Sequence, residues 1–565
     1  MIDVKVLNSL TPIFADQALS GREIEGVRAC RNQSVNFQLA FKINDNSAQS
    51  CDFYLRFDTD LPLSIYYINN VPVVTTCGID GNPPIGLYPD ILIEKKVNPP
   101  LQDVRFPWGK FTVEKGESTL LRAYSDSWQG VFVCINEFEK TVPSGKREIK
   151  IKLYNKSNDP AGEASLTVDV LPLKLPKQKL LYTNWFHYDC LADIYGEEVF
   201  SDRYFAIIRD YIEKAARNGM NMILLPAFTP PLDTGIGDER MTVQLVKIKK
   251  VGKNYEFDFS LMKRFVDMCR DCGITHFEHP HFFTQWGANN APKIIVRVDG
   301  KDKKLFGWHT NGTGKAYSDF LSQYIEALKE FLKKEGLEKK IMFHVSDEPS
   351  NKHLEQYQRA QSIVKKHLDG YMLGDAISHV ELYKKGCCDT PIVVTSTIHD
   401  FIGVCDNLWA YYTGGSSMQG RSSRVLTVPR ERNRVLGVQM YYHNIKGFLH
   451  WAYNNYYGEQ SKHLFNPALN PSGGFSMSGT SYVVYPDFNG RCLQSVRQKT
   501  FAEGLGDMRL LALLERVCGK KTCFEIIEKH FGVPNFNKSV ESAEAYTAFI
   551  DEVYETLKDG KSEDK

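Results

Sequence analysis

The first 175 residues alternate between apolar and polar positions in short runs. Val35–Phe41 and Gly130–Ile135 are examples, and Gly, Pro, Asn and Asp separate such runs. Successive side chains of a strand point to opposite faces, so this period predicts strands buried on one face. No long stretch with helical spacing interrupts them. We therefore predict an all-β sandwich over residues 1–175.

The pattern changes after residues 171–176, where Pro172 and Pro176 are too close together for a central strand and indicate a linker. Residues 202–218 then carry apolar side chains at helical spacing, and Gly219 is placed to end that helix. A continuously apolar run follows, which is typical of a buried parallel strand.

This alternation of helix and apolar strand continues through the middle of the chain. Further helices are predicted over residues 259–272, 317–335 and 354–367. The predicted strands cover residues 180–183, 222–226, 275–278, 341–345, 371–375, 392–396, 408–411 and 447–451. Eight strands in about 300 residues predict a (β/α)8 barrel over residues 176–495. A doubly wound sheet is the main rival, but it should carry a Gly-rich phosphate-binding turn, which we do not find.

The last part of the chain, residues 496–565, is predicted to be a helical segment. Residues 498–515 and 539–557 have amphipathic spacing. Residues 558–565 are charged, and we expect them to fray.

Composition and charge exclude several classes of partner. With 69 basic and 68 acidic residues, the chain has no field that would attract nucleic acid or an anionic membrane. No apolar run approaches the roughly 20 residues of a membrane span. The N-terminus lacks the pattern of a signal peptide, and 13 cysteines are scattered without a disulfide framework. We therefore expect a cytoplasmic protein, or a secreted one if a leader was trimmed; the oligomeric state is left open.

Two adjacent acids, Asp347 and Glu348, directly follow the predicted strand 341–345. In barrel enzymes the active site is built where the strands end. Neighbouring carboxyl groups suit acid/base work, because one can stay ionised while the other keeps its proton. Both reach one pocket only if the chain leaves the regular strand there. Pro349 removes a ladder donor, and we expect it to keep Glu348 in the extended region.

Other strand ends carry aromatic and polar residues of the kinds that bind sugars. Aromatic faces cover the C–H patches of a sugar ring, while imidazoles, amides and acids bind its hydroxyls. The predicted contacts at strand ends are Trp185, His187, His281, Trp286, Asp375, Tyr411, Trp451 and Asn454.

The residues His276, Glu278, His279 and His281 are crowded together and are of the types that bind metals. On a strand the first two share one face and the last two the other, so the four do not converge. The sequence also lacks a helical His-Glu-x-x-His and a downstream Pro-Cys-x-x-Cys. We expect neither a metal nor a cofactor.

Several short sequence motifs of this chain are also found in one known family. They are Tyr88-Pro89-Asp90, Phe282-Phe283-Thr284-Gln285-Trp286-Gly287-Ala288, Ala291-Pro292-Lys293, Gly307-Trp308-His309-Thr310, His344-Val345-Ser346-Asp347-Glu348-Pro349, Gly447-Phe448-Leu449-His450-Trp451-Ala452-Tyr453-Asn454, and Tyr485-Pro486-Asp487 followed by Arg497. Together they resemble glycoside hydrolase family 123. Its characterised members are β-N-acetylgalactosaminidases in which a β-sandwich is joined to a (β/α)8 barrel. The resemblance therefore implies that fold and an oligosaccharide or glycoconjugate substrate, with His309 as a further sugar contact.

The resemblance also implies a role for each acid. The family uses substrate-assisted catalysis, an exception to the usual pair of carboxylates. Glu348 would be the general acid and then the base, while Asp347 would orient and stabilise the 2-acetamido group as its oxygen attacks the anomeric carbon. The configuration would be retained. From position alone, we expect Trp451 and Tyr411 to close around the acetamido methyl.

Two alternatives stay open. A glycosidase of other specificity would need a nucleophile about 5 Å from the acid, and Asp375 or Asp189 could supply it. A carbohydrate-binding protein without activity is the second, although a pure binder has no need of an unpaired buried acid.

Overall fold

The computed structural model describes residues 1–44, 48–75, 83–99, 101–106, 109–114, 120–349, 351–418, 420–540 and 542–560. Its contacts divide the chain into two compact units. The first consists of residues 1–178, 424–442 and 493–565, and the second of residues 179–423 and 443–492. The C-terminal helices, predicted as a separate segment, thus group with the N-terminal strands. Residues 561–565 of the predicted frayed tail lie outside the described residues.

The elements are numbered in chain order. The first twelve strands are β1 Ile2–Asn8, β2 Gly26–Cys30, β3 Val35–Ile43, β4 Ser50–Asp58, β5 Leu63–Val73, β6 Gly86–Lys95, β7 Leu101–Phe106, β8 Gly109–Glu114, β9 Leu121–Tyr124, β10 Gln129–Ile135, β11 Gly145–Asn155 and β12 Pro160–Leu171. The middle of the chain forms β13 Leu181–Asn184, α1 Tyr188–Tyr195, α2 Asp202–Arg217, β14 Met222–Leu224, β15 Lys247–Val251, β16 Asn254–Asp258, α3 Ser260–Asp271, β17 His276–His279, β18 Ile294–Val298, β19 Lys301–Phe306, α4 Lys315–Lys334, β20 Ile341–Phe343, α5 Leu354–Lys365, β21 Met372–Ala376, α6 Val380–Lys384, β22 Thr390–Val394 and β23 Trp409–Tyr411. The remainder forms α7 Arg430–Arg434, α8 Leu436–Tyr442, β24 Gly447–His450, β25 Tyr485–Pro486, β26 Cys492–Ser495, α9 Val496–Cys518, α10 Lys520–Phe531 and α11 Ala543–Asp559.

Two sheets of the first unit share one hydrophobic core. One sheet contains β1-β3-β10-β5-β6-β26 as neighbours, and the other has the order β2-β12-β11-β4-β9. In β11 the residues Ile149, Ile151 and Leu153 are buried and the lysines between them are exposed. Their side chains meet Phe37 and Leu39 of β3 in the same core. The alternation in the sequence thus decides which face of each strand is buried.

The helices of the first unit pack closely around α9. Ser495 caps α9 by accepting a hydrogen bond from the Gln498 amide at 3.0 Å. A Cβ added at Gly437 of α8 would lie 1.9 Å from the carbonyl oxygen of Gly504, and one added at Gly504 would lie 2.6 Å from that of Arg434. Two glycines therefore let α9 approach α7 and α8 at a distance that any side chain would prevent.

The second unit contains eight parallel strands in the order β13-β24-β23-β22-β21-β20-β17-β14. The two end strands also meet, since the Asn221 amide donates to the Tyr182 carbonyl at 3.2 Å. The result is a nearly closed barrel. Its interior is filled by apolar side chains such as Met222, Met342 and Leu449.

The prediction of eight strands is confirmed, but the regular alternation of strand and helix on which it rested is incomplete. Between β22 and β23 the chain makes only a 3-10 turn at Ile398–Asp400. The helices between β23 and β24 group with the first unit. A four-stranded sheet, β16-β15-β18-β19, was not predicted, because its short strands are rich in lysine and give little apolar signal. Among the described residues, no helix has the length and apolarity needed to cross a bilayer.

Replacing Gly504 by Ala should lower the free energy of unfolding by about 1–3 kcal/mol, because the new methyl group overlaps the Arg434 carbonyl. Gly506→Ala on the same helix is the control. No atom lies within 4 Å of its added Cβ, so helix propensity should raise stability by up to about 1 kcal/mol. Urea unfolding measures both. Equal stability of the two variants would contradict the close helix packing.

Candidate functional site

Asp347 and Glu348 follow β20 at the rim where the parallel strands of the barrel end. The chain beyond β20 stays paired with the segment after β17. The amides of Phe282 and Trp286 donate to the carbonyls of His344 and Asp347 at 3.1 and 3.0 Å. The two acids therefore lie on backbone that is held in place although it has left the regular strand.

Glu348 has a φ of +44°, so the prediction that it is extended was wrong. Left-handed backbone is costly for a residue with a Cβ and persists only where its surroundings enforce it. Here the Tyr411 hydroxyl of β23 donates to Glu348 Oε1 at 2.6 Å. This turn takes the acids out of strand alternation and gives them different surroundings, with Asp347 partly buried and Glu348 exposed.

The pKa of Asp347 is raised well above its ordinary value. Burial is the main cause, followed by the negative charges of Glu348 and Asp375, while His344 acts in the opposite direction. Asp347 therefore holds a proton more tightly than a surface aspartate does, and its ionisation depends on the charges below it.

A buried chain of three ionisable groups includes His344, which lies three residues before Asp347. His344 Nε2 is 3.0 Å from Glu278 Oε2, and His344 Nδ1 is 3.5 Å from Asp375 Oδ1. Burial alone lowers the pKa of His344, but its close contacts and charge interactions with the two carboxylates outweigh burial and raise it to about 10. The two carboxylates therefore favour the imidazolium form of His344. Glu278 also accepts hydrogen bonds from Trp185 Nε1, at 2.9 Å, and from the Thr183 hydroxyl.

Asp375 was predicted to contact the sugar, but its carboxylate is engaged in hydrogen bonds within the protein. Its carboxylate accepts hydrogen bonds from the amides of Val345, at 3.0 and 3.1 Å, and of Ser346, at 3.4 Å. The Tyr357 hydroxyl is a further donor. Asp375 thus caps the backbone that leads into the acid pair.

His187 and Asn454 are likewise engaged within the protein. The Asn454 amide pairs with the backbone N–H and carbonyl of His187, both at 3.1 Å. Arg240 donates to His187 Nδ1 at 3.0 Å, so Nε2 carries the proton and donates to the Trp451 carbonyl at 3.2 Å. Burial, and then the charge of Arg240, lowers the pKa of His187 to about 3. Arg240 also holds Asp189 with two hydrogen bonds of 2.7 Å.

Of the remaining predicted contacts, Trp286 and Trp451 have exposed surface and His281 has an unpaired atom, whereas Trp185 has neither. Trp185 is buried, and its ring meets that of His281 at 5.2 Å. His281 Nε2 is buried and has no hydrogen-bond partner among the described residues, and burial lowers the pKa of this imidazole well below its usual value. Trp286 is 41% exposed, with a φ of +60°. Trp451 is partly exposed and contacts the ring of Phe475.

His309 is exposed and lies elsewhere. With Trp308 and Lys293 it lines a cavity of about 190 Å³, and neither acid of the pair lines that cavity. None of the other predicted contacts lines that cavity.

His279 and His281 do not lie on the same face, although regular strand alternation predicted that they would. His279 donates or accepts a hydrogen bond with the Tyr324 hydroxyl at 2.8 Å, on the outer side of the strand. His281 was placed on that same face, but its ring lies beside that of His344 with centroids 4.9 Å apart. β17 ends at His279, and Pro280 follows, so alternation no longer applies at His281.

His281, His344 and Asp375 have ligand atoms within 4.8 Å of one another, which is close enough to surround a metal ion. His344 Nε2 faces Glu278 at 3.0 Å and Nδ1 lies 3.5 Å from Asp375, so a metal would have to displace the proton that these carboxylates favour on the ring.

The sequence reasoning missed Glu278 and His344 as parts of the site. Each is a polar residue inside a short, otherwise apolar run at a strand end, Phe277-Glu278 and Phe343-His344. A buried ionisable group needs a partner. Such interruptions were therefore the signal that could have identified them.

Arg240→Met should lower the free energy of unfolding by about 3–5 kcal/mol, because it leaves the buried Asp189 carboxylate without its partner. Arg209→Met is the matched control in the same unit. Arg209 pairs with Glu213 at 2.9 Å on the surface of α2, and its loss should cost about 1 kcal/mol or less. Chemical denaturation compares the two. If Arg240→Met costs no more than the control, the Asp189–Arg240 pair does not hold this part of the rim.

A family model matches this chain in sequence, and solved structures match it in fold. Residues 185–514 match the model of the glycoside hydrolase 123 catalytic domain. The fold is similar to that of a family 123 glycoside hydrolase from Clostridium perfringens solved in work on glycolipid glycan hydrolysis, with a TM-score of 0.71 at 13% identity, over 100% of this chain and 98% of that chain. A β-glucuronidase from Parabacteroides merdae aligns over 89% of this chain and 52% of its own at 11% identity, and its TM-score of 0.31 is too low to carry an argument. No curated protein sequence matches.

Proposed function

Because the chain belongs to glycoside hydrolase family 123, we propose that it is an exo-acting β-N-acetylhexosaminidase that prefers N-acetylgalactosamine. In this proposal the barrel is a (β/α)8 catalytic domain joined to a β-sandwich. The reaction is substrate-assisted and retains the anomeric configuration. The sugar's own acetamido oxygen attacks the anomeric carbon, so the enzyme supplies no nucleophile.

The observation that carries the proposal is the state of the other carboxylates. A conventional retaining enzyme needs a free carboxylate about 5 Å from its acid. Asp375 is occupied by two backbone amides and the Tyr357 hydroxyl, and Asp189 is bound at both oxygens by Arg240. Both candidates for a conventional nucleophile are therefore committed to the protein, which favours a nucleophile from the substrate.

The two acids have surroundings that suit different tasks. Glu348 is exposed at the rim and accepts a hydrogen bond from Tyr411, so it is placed to protonate the leaving oxygen and later to activate water. Asp347 is partly buried next to an imidazolium. As an anion it accepts the acetamide N–H and stabilises the positive oxazolinium-like intermediate.

The sugar contacts are proposed from which polar atoms the protein leaves unused. His281 Nε2 is buried without a partner in the described chain, so we assign it to a sugar hydroxyl. Trp286 and Trp451 offer exposed ring surface, and Trp451 with Tyr411 borders the acetamido methyl. His187, Asn454 and Asp375 support this surface instead of touching the sugar.

Glu348→Gln should lower kcat for an aryl N-acetyl-β-galactosaminide by about 10²–10⁴-fold, because the variant cannot donate or accept the proton. The matching aryl β-galactoside without the acetamido group should not be cleaved by the wild type, since it lacks the nucleophile. Release of the aryl group is followed by absorbance. Full turnover by Glu348→Gln, or equal cleavage of both glycosides, would exclude this mechanism.

A thiazoline analogue of the intermediate should bind the wild type at least about 10²-fold more tightly than N-acetylgalactosamine does. Asp347→Asn should lose most of this advantage, because the anion that faces the positive charge is gone. Asp389→Asn, at an exposed aspartate outside the site, should keep it. The inhibition constant of the analogue is measured for all three proteins. An unchanged constant in Asp347→Asn would show that Asp347 does not stabilise the positive charge of the intermediate.

A further inference from the structure

Four groups from several elements face the ring of His344. Glu278 comes from β17 and Asp375 from β21, while Trp185 and His281 follow β13 and β17. Asp347 lies three residues further along the same segment. The two carboxylates and His344 are each about 1% exposed or less, so solvent does not screen their interactions.

We propose that Glu278, His344 and Asp375 are positioning residues, which hold a cationic imidazole beneath Asp347 and fix the backbone that carries both acids. The inference deepens the proposed function and rests on its assignment of an anionic Asp347. None of the three needs to touch the substrate, since each acts through Asp347 or through the backbone before it.

The mechanical part of the proposal follows from Asp375. Its carboxylate binds the amides of Val345 and Ser346, directly before the acids. On the other side of the same segment, Ser346 Oγ donates to the Thr284 carbonyl at 2.8 Å. Left-handed backbone follows at Glu348, and such strain needs surroundings that fix the chain on both sides.

The electrostatic part follows from the charges around Asp347. Burial and the negative charges of Glu348 and Asp375 favour its protonated form, and His344 is the cation that opposes them. Burial raises the pKa of Asp375, while the hydrogen bond and charge of His344, and then the Tyr357 hydroxyl and the Ser346 amide, lower it. Removing His344 takes away the cation that lowers the pKa of Asp347, whereas burial and the charge of Glu348, which raise it, remain.

The first test follows the ionisation of Asp347 without substrate. A carboxyl group whose pKa is raised by folding contributes stability below its unfolded pKa of about 4 and loses it as pH rises through the folded pKa. The difference in unfolding free energy between the wild type and Asp347→Asn, measured by urea at a series of pH values, gives that folded pKa. The same comparison is then made between His344→Gln and the double variant that also carries Asp347→Asn. In this pair the pH midpoint that reports Asp347 should lie higher by one pH unit or more.

The matched control is His279→Gln. His279 is as buried as His344 and comes from the neighbouring strand, but its nitrogens face Pro280 and Tyr324. Its replacement should cost stability and leave the Asp347 midpoint in place. If His344→Gln fails to fold, Glu278→Gln removes one of the two carboxylates that keep His344 charged, and a smaller upward shift is expected. No shift in either variant, or the same shift in His279→Gln, overturns the inference.

The second test uses turnover. In His344→Gln the acid limb of kcat/KM for the aryl N-acetyl-β-galactosaminide should move to higher pH by one unit or more. This shift corresponds to a tenfold loss of kcat/KM at a fixed acidic pH. In His279→Gln the acid limb should stay where it is in the wild type. A limb that does not move overturns the proposed link to catalysis. If the wild type cleaves no N-acetylated glycoside, the proposed function fails, and the unfolding experiment alone still decides whether His344 controls the ionisation of Asp347.

Discussion

Two neighbouring carboxyl groups can share one pocket only if the protein gives them different surroundings, because like charges at short range in a low-dielectric site raise each other's proton affinity. In this chain the difference comes from one left-handed residue. Glu348 turns outward to the Tyr411 hydroxyl, while Asp347 stays partly buried near the imidazolium of His344. Much of the site can be understood as support for that turn.

The barrel supplies this support by joining the ends of separate strands. The Trp185 amide donates to the His450 carbonyl at 2.9 Å, and the Tyr453 amide returns to the Trp185 carbonyl at 2.8 Å, so the exits of β13 and β24 form one surface. His187 and Asn454 extend that connection. The residues for chemistry are thus held by backbone contacts between strands that are far apart in sequence, which favours a preorganised site.

The sequence predicted the strands of the barrel well because a buried parallel strand is a continuous apolar run, as in Ile341–Phe343. It also located the acids, since strand ends are visible from the same pattern. It could not show which side chains at those ends are satisfied by the protein. Asp375 and Asn454 were predicted as sugar contacts on residue type and position, but their partners, Tyr357 and the backbone of His187, come from distant segments. Periodicity also fails where a strand ends, as at His281 and Glu348.

The central claim is that Asp347 serves the acetamido group while Glu348 transfers the proton. A crystal structure with N-acetylgalactosamine bound tests this most directly. We expect an Asp347 carboxylate oxygen within about 3 Å of the acetamide nitrogen and the acetamido oxygen beneath the anomeric carbon, with Glu348 beside the glycosidic oxygen. An acetamido group directed away from Asp347, or another carboxylate beneath the anomeric carbon, would contradict the account.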